Sequence, residues 1–424
     1  MRCNQLPDDW HVLQIGNIGK VVTGNTPPKV DQQNYGSDVP WVSPFDMGTG
    51  KYVTRTRNSL SVEGSKLARI VPAGSVLVTC IASIGKNAIA SRAMCTNQQI
   101  NTVVVDARHC NEYTYYCIEQ HGVPLLQKYA GRTAVPIVSK GLFEQLELPF
   151  PKSKAEQQKI AAILTAVDDR LDVIARQIEA TQTLKQGLMQ TLFSRGIGTQ
   201  DTNGHWVPHT EFKETELGKI PAEWTLTTLG SVCDGALQTG PFGSQLHASE
   251  YQDEGIPVLM PKDLERCRAK LATAARISPV RAEELSKHKV FIGDLLFSRR
   301  GDVARFALID EESEGALCGT GCLKARPTAA HSSPFLAQLL QLDVVRVWLE
   351  QNAVGQTMPN MNTGILSSLP LVMPVNRREQ DEIARILESV DSKVQALVIK
   401  QSHFARLKRG LMQKLLTGEW RVRT

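Results

Sequence analysis

The sequence has no apolar run that approaches the roughly 18 residues of a membrane span, and its first residues lack the basic and apolar regions of a signal peptide. Its nine cysteines include no CxxC pair, and the nearest two, Cys318 and Cys322, are a weak metal signal. These absences predict a cytoplasmic protein with free thiols, no metal and no membrane contact. With 424 residues, 42% of them hydrophobic, the chain can form two or three domains.

The usual motifs of catalytic and cofactor sites are also missing. Residues 25–28, Asn-Thr-Pro-Pro, are not the Asn/Asp-Pro-Pro-aromatic motif of adenine methyltransferases, because a Thr intervenes and Lys29 follows. Gly319 and Gly321 do not continue into a nucleotide-binding loop, and no HExxH occurs. Residues 211–213, Glu-Phe-Lys, imitate half of a nuclease motif but fall in a predicted linker. The sequence therefore predicts no catalytic residue and no cofactor.

What the chain does contain is a long segment that occurs twice. Residues 153–196 align without a gap to residues 376–419, at an offset of 223 that matches Glu156 to Glu379. A repeat at this separation indicates a duplicated unit.

Both copies carry the start and stop signals of a single helix. Each begins with a predicted capping box, Ser153 with Glu156 and Asn376 with Glu379. Glycines end them, at Gly196 and Gly198 in the first copy and at Gly418 in the second.

Apolar residues recur along both helices in steps of four and three, which predicts a heptad seam. The simplest partner for one seam is the other, giving an antiparallel coiled coil within one chain; a bundle core or a homodimer zipper is the alternative. Lys185 and Lys408 occupy equivalent seam positions, where lysine costs stability but fixes register. Gly187 and Gly410 suggest a close approach by another backbone. The residues assigned to the coiled coil and to partner docking are Ile160, Leu164, Val167, Leu171, Ile174, Ile178, Lys185, Gly187, Leu188, Ile383, Leu387, Val390, Val394, Leu397, Lys408, Gly410 and Leu411.

A globular segment precedes each helix, and the two segments are alike at their edges. LPDDWHVLQIGNI matches IPAEWTLTTLGSV, and residues 38–46 match residues 255–263. Trp10 and Trp224 occupy equivalent places at the two domain entries. This equivalence favours a role as core anchors over a role in base stacking. Short strands without regular βαβ alternation predict an α+β fold. The predicted organisation is a globular domain at 1–152, a spacer helix at 153–198, a loosely structured linker at 199–219, a second globular domain at 220–375, and a second helix with a C-terminal tail at 376–424.

This organisation suggests a nucleic-acid partner, which the net charge of +5 permits. If the helices pack antiparallel, a pseudo-two-fold axis relates the two globular domains, and double-stranded DNA has symmetry of the same kind. One chain would then carry two non-identical readers. The expected target is two different short sequences separated by DNA that the helical rod spans without reading.

The arrangement resembles the specificity subunit of type I restriction–modification systems. The motifs that carry the resemblance are GRTAVPIVSKGLFEQLELPFPKSKAEQQKIAAIL, LKQGLMQTLFSRGIG, FKETELGKIPAEW and LKRGLMQKLLTGEWRV. The resemblance implies that the globular segments are target recognition domains and that the helices are spacers that dock two methyltransferase subunits. Restriction subunits would join through that complex, and the chain itself would perform no chemistry. A coiled-coil interaction scaffold and a self-sufficient two-domain DNA-modifying enzyme are the alternatives.

The DNA-contacting residues are expected among the basic and amide side chains of the two globular domains. Lys and Arg suit phosphates, Arg suits guanine, and Asn or Gln suits adenine. Any single Arg is otherwise a solvated surface charge, Asn97–Gln99 equally fits a structural turn, and Arg299–Arg300 is expected at a loop tip. The candidates are Lys29, Arg55, Arg57, Lys86, Asn97, Gln98, Gln99 and Arg132 in the first domain, and Lys262, Arg266, Arg268, Arg299, Arg300, Arg305, Gln356, Asn360 and Asn362 in the second.

Overall fold

The computed structural model describes residues 6–48, 50–130, 135–241, 245–265, 267–355 and 359–423. The chain divides into two compact units, the first formed by Met1–Gln177 with Leu397–Thr424 and the second by Ile178–Ala396. Among the described residues, no helix is both long and apolar enough to cross a membrane.

The first unit is built from short strands and short helices, with one long helix at its end. Its strands are β1 (Trp10–Gln14), β2 (Gly19–Thr23), β3 (Tyr35–Gly36), β4 (Val39–Val42), β5 (Tyr52–Val53), β6 (Asn58–Leu60), β7 (Ile70–Val71), β8 (Val76–Thr79), β9 (Asn87–Ala90), β10 (Met94–Thr96), β11 (Ile100–Val105) and β12 (Glu147–Pro151). Its helices are α1 (Ile15–Ile18), α2 (Val62–Lys66), α3 (Asn111–Cys117), α4 (Val123–Tyr129), α5 (Lys140–Glu144) and the first part of α6 (Lys154–Arg195). Two five-stranded sheets run in the orders β3-β6-β4-β10-β7 and β2-β11-β8-β9-β5, and β1 pairs with β12.

The second unit has the same kinds of element. Its strands are β13 (Thr199–Gln200), β14 (Trp206–Val207), β15 (Phe212–Thr215), β16 (Gly218–Pro221), β17 (Trp224–Thr228), β18 (Leu237–Thr239), β19 (Ile256–Leu259), β20 (Leu264–Glu265), β21 (Cys267–Ala269), β22 (Ala275–Ile277), β23 (Leu295–Ser298), β24 (Phe306–Leu308), β25 (Leu317–Cys318), β26 (Cys322–Ala325) and β27 (Pro370–Pro374). Its helices are the last part of α6, then α7 (Leu229–Val232), α8 (Pro279–Glu284), α9 (Ser333–Leu339), α10 (Asp343–Asn352), α11 (Thr363–Ser367) and the first part of α12 (Arg377–Leu415). The last part of α12 belongs to the first unit.

The two units share most of their strand order although their interiors differ in sequence. The order β18-β26-β23-β24-β21 in the second unit repeats β2-β11-β8-β9-β5 in the first, and β22-β19-β25 repeats β6-β4-β10. The parallel pairs also recur, because β4 with β10 and β5 with β9 correspond to β19 with β25 and β21 with β24. The predicted α+β class, with two similar domains, is confirmed.

Each globular domain shares a hydrophobic core with the ends of the long helices in its own unit. Trp10 packs in one cluster with Ile160 of α6 and Leu415 of α12. Trp224 packs in the other cluster with Leu192 and Ile383. Both tryptophans are buried, so the prediction that they are core anchors is confirmed. The predicted boundaries at the helix starts are thus not limits of a core, since the core residues lie on both sides of them.

The seam positions of α6 and α12 are all buried or half-buried. In the first unit, Asp168 pairs with Lys408 and Glu156 pairs with Arg421. A lower residue number on the first helix thus meets a higher residue number on the second. The same holds in the second unit, where Lys185 pairs with Asp391 and Ile197 with Glu379. The predicted antiparallel pairing of the two helices is therefore confirmed within each unit.

The glycine stops are confirmed. The predicted capping boxes are wrong in the half that the glutamate side chains were expected to form. Gly196 and Gly418 follow the helix ends with φ of 66° and 75°, a conformation that glycine adopts without strain. Ser153 accepts a hydrogen bond from the Glu156 N–H at 3.4 Å, as expected. The carboxylates of Glu156 and Glu379 are buried and do not complete the boxes, because donors elsewhere bind them: the Arg421 guanidinium for Glu156, and several groups for Glu379.

The predicted loosely structured linker is also wrong. Residues 199–219 contain the hairpin of β13 and β14 and most of the hairpin of β15 and β16. Between the hairpins, the His209 ring lies 2.9 Å from a Glu379 carboxylate oxygen with both side chains buried. Because buried polar groups require partners, this contact fixes the segment against its unit.

The expected close backbone approach at Gly187 and Gly410 is not found within the described chain. A Cβ built at either glycine would have no neighbouring heavy atom within 4 Å outside its own helix. Both residues are exposed. The packing of the described residues therefore gives no reason for either glycine.

Candidate nucleic-acid interface

Two short 3₁₀ turns occupy the same place in the two units. The first tip, Pro44–Asp46, follows β4, and the second tip, Pro261–Asp263, follows the equivalent strand β19. Proline at the first position of each turn restricts its backbone, and an aspartate closes each turn. The middle residue differs, being Phe45 in the first tip and Lys262 in the second.

Hydrogen bonds brace the first tip from below. Asp46 Oδ2 accepts from the backbone N–H of Ser43 at 2.8 Å and from the Ser43 hydroxyl at 2.7 Å. Asp46 Oδ1 accepts from the backbone N–H of Arg57 at 2.8 Å. Lys86 donates from Nζ to the carbonyl oxygens of Pro44, at 2.9 Å, and Met47, at 3.4 Å. The structure thus joins Arg57 and Lys86, both predicted candidates, to one turn.

The second tip is braced in the same manner. Asp263 accepts from the backbone N–H of Met260 at 3.0 Å and from the Thr273 hydroxyl at 3.1 Å. Arg305 donates to the Pro261 carbonyl oxygen at 3.3 Å, as Lys86 does to Pro44. Lys262 and Arg305, both candidates, are exposed and belong to one site.

The amide candidates of the first unit form a structural turn. Asn97 is buried; its side-chain oxygen accepts from the Gln99 N–H at 3.0 Å and its amide nitrogen donates to Gln99 Oε1 at 3.0 Å. Gln98 is exposed and accepts from the Thr26 hydroxyl. Both polar groups of Asn97 are engaged within the chain, so the turn alternative holds for it and direct base reading by Asn97 is disfavoured.

In the second unit, Arg299 and Arg300 directly follow β23, but they do not form a free loop tip. The Arg299 carbonyl oxygen accepts from the Met361 N–H at 2.8 Å, and Arg300 forms an antiparallel bridge with Asn360. Asn362 caps α11, since its side-chain oxygen accepts from the Ile365 N–H at 2.8 Å. The expectation of a loop tip at Arg299–Arg300 is therefore wrong, because the 359–361 segment pairs with its backbone.

The remaining candidates are exposed side chains or lie outside the described residues. Lys29, Arg55 and Arg268 are exposed, and the Arg300 side chain is also exposed. Arg132, Arg266 and Gln356 lie outside the described residues.

The Glu-Gln pair of each long helix ties that helix to its globular domain. Gln157 accepts from the Cys110 N–H at 2.9 Å and donates to the Pro151 carbonyl at 2.9 Å. Gln380 repeats both bonds, accepting from the Ser332 N–H at 2.8 Å and donating to the Pro374 carbonyl at 2.7 Å. Both glutamines are buried, so this repeated motif serves internal structure rather than a partner surface.

The seam lysines form ion pairs that the sequence reasoning missed. Lys185 Nζ lies 2.7 Å from Asp391 Oδ1, and Lys408 Nζ lies 3.1 Å from Asp168 Oδ1. The two aspartates are equivalent in the repeat, and that alignment was the available signal.

Polar groups of the globular domain complete each ion pair. Tyr116 donates to Asp168 Oδ2 at 2.6 Å, and burial together with this bond raises the pKa of Tyr116. Nearby, burial lowers the pKa of Lys51, which donates to the Thr165 hydroxyl at 2.7 Å. In the second unit the Gln338 amide donates to Asp391 Oδ2 at 3.0 Å. Each pair thus joins both helices and one globular domain.

The described residues include no group of three or more metal-ligating side chains that could hold an ion. Cys318 and Cys322 are buried free thiols, and burial raises the pKa of Cys318 to about 12. Metal ligation uses the thiolate, so these two protonated thiols are poor ligands.

A family model described as the type I restriction modification DNA specificity domain matches residues 7–182 and 221–401. The chain belongs to the family of type I restriction–modification specificity subunits. As a specificity subunit, it is the recognition component rather than the catalytic one.

Relatives of the chain carry a matching description. The chain is 24% identical over 436 residues to the type I restriction enzyme MjaVIII specificity subunit of Methanocaldococcus jannaschii, covering 99% of this chain and 95% of the relative. It is 30% identical over 168 residues to the HindI specificity subunit of Haemophilus influenzae, covering 37% and 36% of the two chains.

Solved structures share the fold across the whole chain. The S subunit of a type I system from M. genitalium superposes with a TM-score of 0.63 at 16% identity, covering 98% of this chain and 97% of that one. A chain from a study of complex assembly and conformational transition of the type I system gives 0.56 at 16% identity, covering 98% and 100%.

Proposed function

We propose that this chain directs a cytoplasmic type I restriction–modification complex to a bipartite, asymmetric target in double-stranded DNA. The observation that carries the proposal is a duplication with matched topology and unmatched surface chemistry. Phe45 and Lys86 at the first tip correspond to Lys262 and Arg305 at the second. Because equivalent positions present different side chains, each domain would read a different half-site.

The long helices would dock two methyltransferase subunits, and restriction subunits would join through them. Leu184 and Leu407 are equivalent in the repeat and are 55% and 49% exposed. Each lies three residues before an exposed glycine, Gly187 or Gly410, and therefore on the same helix face. A leucine beside a bare backbone allows a partner helix to approach closely. Two equal surfaces on one chain would bind two copies of one partner.

A methylation map of whole genomes tests the recognition role. Cells would carry the cognate methyltransferase subunit with or without this chain. A split motif methylated only when the chain is present is the expected result. Exchanging residues 1–152 for another recognition domain should then change one half-site only. Stable association of the proteins without any new motif would contradict the proposal.

Charge substitutions on the helices test the docking role. Leu184→Glu or Leu407→Glu should each remove one methyltransferase subunit from the complex, and the double variant should remove both. Native mass spectrometry gives the subunit count directly. Ile399→Glu is the matched control, because Ile399 is exposed on α12 but corresponds to Arg176 in α6. Loss of both subunits from either single variant would contradict two independent sites.

A further inference from the structure

We infer that Phe45 is a base-stacking residue of the first recognition domain and determines how that half-site is read. The inference rests on the proposed DNA-binding function and goes further, because it assigns a contact to a residue outside the predicted basic and amide candidates. The signal was available in the sequence, where residues 38–46 align with 255–263 and place Phe45 opposite Lys262.

Phe45 is uncovered at a position where the backbone is fixed. Its side chain is 73% exposed, although each neighbour in the tip is held in place. Pro44 is restricted by its ring and receives the Lys86 ammonium, while Asp46 receives three hydrogen bonds. A rigid turn that presents a largely exposed aromatic ring loses little conformational entropy on binding a flat ligand.

The surroundings of the ring fit a nucleic-acid base. The Arg57 guanidinium carbon lies 5.3 Å from the centre of the Phe45 ring, and Arg57 donates its backbone N–H to Asp46. The same turn carries a second positive charge, because the Lys86 ammonium donates to the Pro44 carbonyl oxygen. An aromatic ring beside a guanidinium, on a turn that also holds a lysine, matches an unstacked or edge-exposed base with its phosphates. Apolar side chains of this kind also enter between base steps in bent duplexes.

The second domain has a lysine in place of the aromatic ring. Lys262 lies on the same braced turn and can contact a phosphate, but it offers no stacking surface. Substitutions at the two tips should therefore affect the salt dependence of DNA binding differently. Loss of Phe45 should weaken binding without changing its salt dependence, since no charge is removed. Loss of Lys262 should lower the slope of log K against log salt by about 0.9, the value of one phosphate contact.

The test uses the full complex with methyltransferase subunits and duplexes that carry the mapped target. Phe45→Ala and Phe45→Leu should weaken binding to the intact target about 5- to 150-fold, as loss of one base–aromatic stack does. Phe45→Trp should retain affinity, because it keeps an aromatic face. Discrimination between the intact target and one with the first half-site scrambled should fall in the same two variants. A 2-aminopurine base in that half-site should report the lost stack through its fluorescence.

A second exposed Phe–Arg pair supplies the control. The Arg326 guanidinium lies 4.7 Å from the centre of the Phe291 ring in the second unit, away from both tips in sequence. Phe291→Ala removes a surface Phe–Arg contact of the same kind and should leave target binding unchanged. Equal binding and discrimination by wild type and Phe45→Ala would overturn the stacking role while leaving the recognition function intact. Absence of any bipartite target for the wild-type complex would instead overturn the recognition function itself.

Discussion

Replacing Asp391 by alanine is expected to destabilise the second unit by about 1–3 kcal/mol, the usual cost of leaving a half-buried charged group without its partner. The Lys185 side chain is 16% exposed and its ammonium lies 2.7 Å from Asp391, and among the described residues its other hydrogen-bond partner is the neutral Gln341 oxygen at 3.1 Å. The reverse change, Lys185→Ala, should cost less, because Asp391 is 40% exposed and can be hydrated.

The pair should also fix the register of the helices. Exchanging the two residues, as Lys185→Asp with Asp391→Lys, should recover most of the stability lost in either single variant. The hydrogen-bond partners of this pair, Gln338 and Gln341, are neutral, whereas Lys408 also lies 3.3 Å from the charged Glu119. A double-mutant cycle then isolates the coupling between the two side chains.

Thermal unfolding of the full chain measures the effect. For units of 150–250 residues, each kcal/mol shifts the melting temperature by about 2–4 °C, so Asp391→Ala should lower it by roughly 2–12 °C. Glu350→Ala is the control, because Glu350 pairs with Arg346 on an exposed helix face and should have little effect. A fall of similar size in the exchanged double variant would refute the argument, since it would mean that the ion pair contributes nothing specific.

Three further predictions follow from individual contacts. Gln380→Leu should destabilise the second unit by about 2–4 kcal/mol in denaturant unfolding, because it leaves the buried Ser332 N–H and Pro374 carbonyl unpaired, whereas Gln413→Leu on the exposed face of α12 should be neutral. Adding one heptad after Gln177 in α6 and one after Lys400 in α12 keeps both ion pairs and lengthens each helix by about 10.5 Å, so the methylation map should show a spacer longer by about 3 base pairs with both half-sites unchanged. Burial lowers the pKa of His121 and His288 below the unfolded value of about 6.5, so these side chains favour folding above that pH; the free energy of unfolding should fall as pH drops through 6, and His288→Gln should reduce that slope.

Much of the architecture follows from local pattern. Heptad spacing predicted both long helices and their pairing. A buried seam needs an apolar residue at regular intervals, and that regularity is visible in the sequence. Gly196 and Gly418 marked the helix ends through the one conformation that glycine tolerates best. The motifs that align at the edges of the two globular segments predicted two similar domains. The prediction of a loosely structured linker was wrong because its two hairpins are short and polar. Distant contacts, such as that of His209 with Glu379, hold the segment in place.

The candidate interface was less accessible to sequence reasoning. Residue type alone pointed to basic and amide side chains, and the structure divides them: Lys86 and Arg305 hold equivalent turns, while Asn97 stabilises a turn and Asn362 caps a helix. Phe45 was missed because an aromatic residue in a β-rich segment is normally expected in a core. Exposure depends on which elements cover a position, and no local pattern records that.

By itself, the sequence determined the duplication, the helical seams and the family, since each is a matter of periodicity or repeated motif. Tertiary structure alone decided which charges meet. Lys185 and Asp391 are about two hundred positions apart, and only the antiparallel packing of their helices brings the ammonium and the carboxylate within 2.7 Å. It also decided that the turns at Phe45 and Lys262 are held by hydrogen bonds while both side chains stay exposed, because strand pairing across each sheet sets their surroundings.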